Sequence, residues 1–281
     1  MSVKLFSTDI DGTLLNERGQ IPKKNKEAIL RLEEEGIKVA LCSGRPLSDM
    51  ERFSKELQLA KYGGYLIGAN GNALRKEATK ETFFDHQLQP ELLGRMYALS
   101  KKYAWEMTAE GNTESYVFVR AFMKVLITVY EHIFQRRSYW YAALSMKKLE
   151  KLEEIPQDIN KLIVFNPGKT LARLRKRIET EFQGEIACCK VSRASMEIFS
   201  GKCDKVNGLR KVCELEGISL KEVLFIGDGE NDVRAVEEAG IGIAVENAAE
   251  TVKKNADALV SSNQRCGVAE AINKYAFKEE K

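Results

Sequence analysis

Histidine is nearly absent from this 281-residue chain, which has only two. Its six cysteines (Cys42, Cys188, Cys189, Cys203, Cys213 and Cys266) never fall in a Cys-x-x-Cys pair. Both scarcities argue against a zinc site, which draws its ligands from closely spaced Cys and His. The first residues, Met1 to Ser7, carry one basic side chain and run straight into acidic Asp9, unlike a signal or transit peptide. The expectation is a cytoplasmic protein whose cysteines stay reduced and serve as small packing groups. No apolar run approaches the roughly 20 residues that span a bilayer. A net charge of +3 is too small to point to nucleic acid. No repeat or low-complexity tract stands out. What the composition does supply is 44% hydrophobic and 30% charged residues, ordinary for a soluble globular chain with one large core or two smaller ones.

Short apolar runs rich in β-branched residues alternate with amphipathic stretches. Residues 3–8, 37–42, 65–69, 223–226 and 241–245 read as strands. Between the first two, Ala28, Ile29 and Leu32 fall at helical spacing over 23–35, and Gly36 suits the helix stop. A second helix spans 230–239 and stops at Gly240. Strands alternating with helices predict a doubly wound, Rossmann-like parallel sheet covered on both faces. The middle differs: helices over 90–103 and 170–182 accompany strands at 115–119, 161–165 and 186–189. The division expected is a core formed by 1–83 and 193–281, with an α/β unit of 84–192 inserted into it.

Three predicted strands end in polar clusters: Asp9-Ile10-Asp11-Gly12-Thr13, Ser43-Gly44-Arg45, and Gly227-Asp228-Gly229-Glu230-Asn231-Asp232. Open parallel sheets bind ligands beyond the carboxyl ends of their strands, so the three clusters should converge there. A lone aspartate after a strand is ordinarily a turn former. Several carboxylates at one sheet edge repel one another unless a cation lies between them. Oxygen ligands without His or Cys nearby favour a hard ion such as Mg2+. The Ser43-Gly44-Arg45 turn supplies a hydroxyl and backbone N–H groups suited to phosphate. Lys205 precedes a predicted helix over 206–216 and by itself reads as solvated surface.

Taken together, these residues resemble the haloacid dehalogenase-like (HAD) phosphatases, in particular the Cof-type, sugar-phosphatase-like branch. Asp9-Ile10-Asp11-Gly12-Thr13-Leu14 matches the first motif of that family, Ser43 the second, Lys205 the third and Gly227 to Asp232 the fourth. The segment Gly68-Ala69-Asn70-Gly71-Asn72 resembles the Asn-Gly turn that the family carries beside its phosphate site. Val206-Asn207 follows Lys205 where the branch has glycine, which leaves Lys202 as the alternative lysine.

The resemblance implies a Mg2+-dependent phosphatase acting on a small phosphorylated metabolite, with the inserted unit as its cap. Asp9 would be the nucleophile, forming an aspartyl-phosphate, and Asp11 the general acid and base. Ser43, Gly44, Arg45, Lys205 and Asn231 would bind phosphate, and Asp9, Asp11, Asp228 and Asp232 would hold the metal. A phosphomutase of the same superfamily and a non-catalytic phosphate-binding member are the alternatives. Residues 120–148 carry six basic side chains (Arg120, Lys124, Arg136, Arg137, Lys147, Lys148) against one acidic, Glu131, with Tyr139, Trp140 and Tyr141 among them. They read as a solvated face with some cap core, or as a contact for an additional anionic group. Neither substrate nor oligomeric state is legible.

Overall fold

A computed structural model describes residues 2–84, 86–103, 105–112, 114–118, 147–148, 158–165, 171–190 and 195–277. The chain divides into two compact units, residues 1–85 with 203–281, and residues 86–202. The described strands, in chain order, are β1 (Leu5–Asp9), β2 (Lys38–Cys42), β3 (Tyr65–Gly68), β4 (Ala73–Lys76), β5 (Thr82–Phe84), β6 (Glu106–Gly111), β7 (Ser115–Phe118), β8 (Lys147–Lys148), β9 (Ile159–Phe165), β10 (Ile186–Lys190), β11 (Ser195–Ser200), β12 (Val223–Gly227), β13 (Ile241–Val245) and β14 (Ala258–Val260).

The first unit is built on an eight-stranded sheet in the order β14-β13-β12-β1-β2-β3-β4-β5. From β14 to β3 every pairing is parallel, and β4 and β5 add an antiparallel edge. All five residues of β1 are buried, as are all five of β12. That pattern belongs to central strands covered on both faces, which therefore read as continuous apolar runs. Helix Lys23–Glu34 buries Ala28, Ile29 and Leu32 against a core that includes Leu5, Val39 and Leu41. It stops where expected. Gly36 takes φ +80°, its N–H donates to the Glu33 carbonyl at 3.1 Å, and the Ile37 N–H donates to the Leu32 carbonyl at 3.0 Å. Only a residue without a Cβ adopts that left-handed turn at little cost.

The second unit carries a six-stranded sheet in the order β10-β11-β9-β6-β7-β8. Helices Pro90–Tyr103 and Leu171–Glu181 supply Leu93, Met96, Leu174 and Ile178 to a core shared with Met107, Leu162, Val164, Met196 and Ile198. Alternation along the strands turns other side chains to the opposite face. There Lys161 is buried with its ammonium 2.7 Å from Glu197 and 3.1 Å from Glu110. The return to the first unit falls at Lys202/Cys203, ten residues later than the sequence suggested. The reason is β11, which pairs antiparallel with both β10 and β9 and so belongs to the smaller sheet. The basic and aromatic residues expected between 120 and 148 lie outside the described residues, apart from the Lys147–Lys148 strand.

Candidate active site

Strand register sets the site. Asp9 lies opposite Cys42 on β2, and on its other side Thr8 lies opposite Ile226 on β12. The chain therefore leaves these three neighbouring strands as Asp9-Ile10, Ser43-Gly44 and Asp228-Gly229 at one edge. Beyond β3 a further turn joins them: the Ser43 N–H donates to the Ile67 carbonyl at 2.8 Å, and the Asn70 N–H donates to the Ser43 carbonyl at 3.1 Å.

Asp9 is 5% exposed. The ammonium of Lys205, itself fully buried, stands 2.5 Å from Asp9 Oδ1 and 2.6 Å from Asp232 Oδ1. Asp204 caps the helix that begins at Lys205 by accepting the Asn207 N–H at 2.8 Å. That cap fixes the lysine's starting point. The alternative, Lys202, is exposed in the other unit. The second oxygen of Asp232 accepts the N–H groups of Asp228 at 3.0 Å and Gly229 at 2.8 Å. Both oxygens of Asp232 are thus engaged by the protein, and its work is to shape the Asp228 loop and to hold Lys205.

Asp228 Oδ1 accepts the Thr13 hydroxyl at 2.7 Å. Gly12, at φ +83°, passes directly beneath this carboxylate. A Cβ there would fall 2.4 Å from Asp228 Oδ2, so both the backbone angle and the space demand glycine. The Asn247 amide donates to the Gly12 carbonyl at 2.7 Å, and the Asn263 amide donates to the Leu15 carbonyl at 2.8 Å. Both hold the turn after β1 in place.

Charge is unbalanced within this cluster. Asp9, Asp228 and Asp232 bring carboxylate oxygens within 4.8 Å of one another, and one ammonium faces them. Burial, opposed by Lys205 but reinforced by Asp232 and Asp228, raises the Asp9 carboxyl well above its usual range. Burial and Asp232 push Asp228 up to about 6. Burial alone would lower Lys205, but Asp232 and Asp9 carry it above the ordinary lysine range. The donors are all oxygen and carry surplus negative charge, which suits a hard divalent cation. Burial also raises the thiol of neighbouring Cys42, so that sulfur stays protonated and is no rival nucleophile.

Of the residues singled out from sequence, Asp9, Lys205, Asp228 and Asp232 come together. Ser43 is buried at the same edge, its hydroxyl accepting the Arg45 N–H at 3.2 Å, and half-buried Gly44 lies in the same turn. Asn231 joins through Asn70, donating to its side-chain oxygen at 2.8 Å. Asn70 is wholly buried and sits at φ +56°. Asp11 stands apart, its exposed carboxylate held by Arg45. Thr13 and Asn247 are additions. Thr13 was legible as part of the first motif and its tight turn but not as a partner of Asp228, and Asn247, in a stretch that resembles the same branch, was not singled out as a site residue.

An open parallel sheet with carboxylates and a buried lysine at its carboxyl edge, in a chain that also carries an inserted second α/β unit, defines a HAD-type hydrolase. The family model for haloacid dehalogenase-like hydrolases matches residues 6–272, and the chain belongs to that family. YxeH of Bacillus subtilis, named provisionally as a phosphatase, is 30% identical over 276 residues, 98% of each chain. YwtE of the same organism, named a 5-amino-6-(5-phospho-D-ribitylamino)uracil phosphatase, is 26% identical over 286 residues, 96% of this chain and 97% of that one. The crystal structure of a haloacid dehalogenase-like hydrolase from Bacteroides thetaiotaomicron superposes with a TM-score of 0.80 at 27% identity, covering 97% of this chain and 99% of the other.

Proposed function

We propose that this protein hydrolyses a small phosphate monoester through an aspartyl-phosphate on Asp9, with Mg2+ as cofactor. The observation that carries the reading is the buried Asp9 carboxylate, oriented by Lys205 at 2.5 Å and faced by Asp228. A carboxylate is a weak nucleophile, so positioning and charge stabilisation must supply most of the catalysis. Asp9, Asp228 and the Asp11 carbonyl would hold Mg2+, which supplies positive charge to offset repulsion between the phosphoryl oxygens and the attacking carboxylate.

A bond forms between an Asp9 oxygen and phosphorus as the ester P–O bond breaks, and Asp11 gives the departing alkoxide its proton. Water then attacks phosphorus, the bond to Asp9 breaks, and the water's proton passes to Asp11. The Ser43 hydroxyl and the Lys205 ammonium are the donors for the phosphoryl oxygens. The substrate class we favour is a sugar or polyol phosphate, in keeping with the ribityl phosphate in the name of YwtE.

The test is release of orthophosphate from p-nitrophenyl phosphate and from a panel of sugar and polyol phosphates, with and without Mg2+. Asp9→Asn should abolish turnover while leaving the fold intact. Full activity in that variant overturns the reading, and an isomerised phosphate ester in place of orthophosphate points to the mutase.

A further inference from the structure

Arg45, in the turn after β2, does not face the buried carboxylates. Its Nε donates to Asp11 Oδ2 at 2.6 Å and its Nη2 to Asp11 Oδ1 at 2.7 Å. Both oxygens of Asp11 are taken by one planar fork, which fixes the carboxylate in direction as well as in place. The arginine is anchored at its root. Its N–H donates to the Ser43 hydroxyl at 3.2 Å, and its carbonyl accepts the Ala69 N–H at 2.8 Å. Its guanidinium carbon lies 5.8 Å from the centre of the Phe53 ring.

Stability does not account for the pair. The two side chains are 30% and 56% exposed, and exposed ion pairs contribute about 0–1 kcal/mol. The Nε–Nη2 edge, which would grip a phosphoryl group with two parallel bonds, is given to Asp11 instead. Resting on the aspartyl-phosphate reading above, we infer that Arg45 is a positioning residue, holding the Asp11 carboxylate in the orientation from which it takes the proton of the attacking water in the second step.

That step is common to every substrate. Water's oxygen bonds to phosphorus, the bond from phosphorus to Asp9 breaks, and the proton goes to Asp11. Losing the fork slows this step alone when the leaving group needs no acid. p-Nitrophenolate is such a leaving group, so it separates the two halves of the reaction.

The experiment compares the wild type with Arg45→Gln and Arg45→Lys on p-nitrophenyl phosphate, by stopped flow and at steady state, together with urea unfolding. In Arg45→Gln, kcat should fall about 10- to 100-fold and KM should fall with it, so that kcat/KM stays within about twofold. A burst near one p-nitrophenolate per site should precede the slow phase, and the urea midpoint should stay in place. Arg45→Lys keeps the charge without the fork and should behave like Arg45→Gln.

A raised KM at unchanged kcat, rescued by lysine, would make Arg45 a phosphate ligand and overturn the inference. An equal fall of kcat and kcat/KM without a burst, or no change at all, overturns it too. A wild type that releases no p-nitrophenolate overturns the hydrolase reading, and the inference falls with it.

Discussion

Replacing Lys205 with methionine keeps the length and packing of the side chain and removes the charge that two buried carboxylates share. Asp9 and Asp232 are each buried and lie 2.5 and 2.6 Å from that ammonium. Deleting one partner of a buried ion pair costs about 3–5 kcal/mol, because the remaining charge stays in a poor solvent. Here two carboxylates are left, with Asp228 close by, so the upper part of that range is expected. Urea unfolding at neutral pH, without Mg2+, reads the loss directly. The loss should be partly recovered in Lys205→Met/Asp232→Asn. Asparagine's oxygen can still accept the two N–H groups of the Asp228 loop, and one surplus charge is gone. A coupling of about 1–3 kcal/mol between the two substitutions follows. Turnover should fall at least about 100-fold, since an oriented donor to the reacting groups is lost. A single-variant loss below about 1 kcal/mol, or strict additivity in the double variant, would refute the idea that Lys205 neutralises this cluster.

Two further predictions follow from the first unit. Glu33 is buried with neither carboxylate oxygen hydrogen-bonded, and burial pushes it up to about 8 against the pull of Lys61 and Lys38. The folded state therefore keeps a proton that the unfolded chain releases near 4.5, so this group's contribution is full below pH 4.5 and declines as pH rises towards 8. Glu33→Gln should gain on the wild type by about 4 kcal/mol across that interval in urea titrations; a pH-independent difference would contradict the assignment. Gly12→Ala combines a forbidden φ with a collision against Asp228; about 1–3 kcal/mol of stability and most of the activity should go, and an alanine variant of normal kcat would count against the tight turn beneath Asp228.

Much of this site was legible because it sits where regular elements end. Asp9 closes one fully buried parallel strand and Asp228 follows another, and buried runs that end at an Asp are easily read. Helix boundaries at 23–34, 90–103 and 205–216 fall within about a residue of the periodicity. The second unit was harder. In β6 and β11, charged Glu110 and Glu197 are buried opposite apolar faces, so neither strand stands out as an apolar run. Side-chain partners were hardest of all. Arg45 follows Ser43 and Gly44 in a phosphate-type turn, and sequence offered phosphate as its natural partner. Its long stem lets it reach Asp11, a choice set by the turn that brings residue 11 to the same edge. Asn70 gained its place from the buried positive-φ turn after β3, which the Asn-Gly pair only hints at.

The central claim is that Asp9 carries the phosphoryl group between the two half-reactions. Rapid mixing with a phosphate monoester labelled in its phosphoryl group, followed by acid quench and peptide mapping, tests it most directly. The account predicts protein-bound label on Asp9, stable in acid, released by hydroxylamine and absent from Asp9→Asn. Label on another residue, or a full turnover of labelled orthophosphate with none passing through the protein, would contradict it.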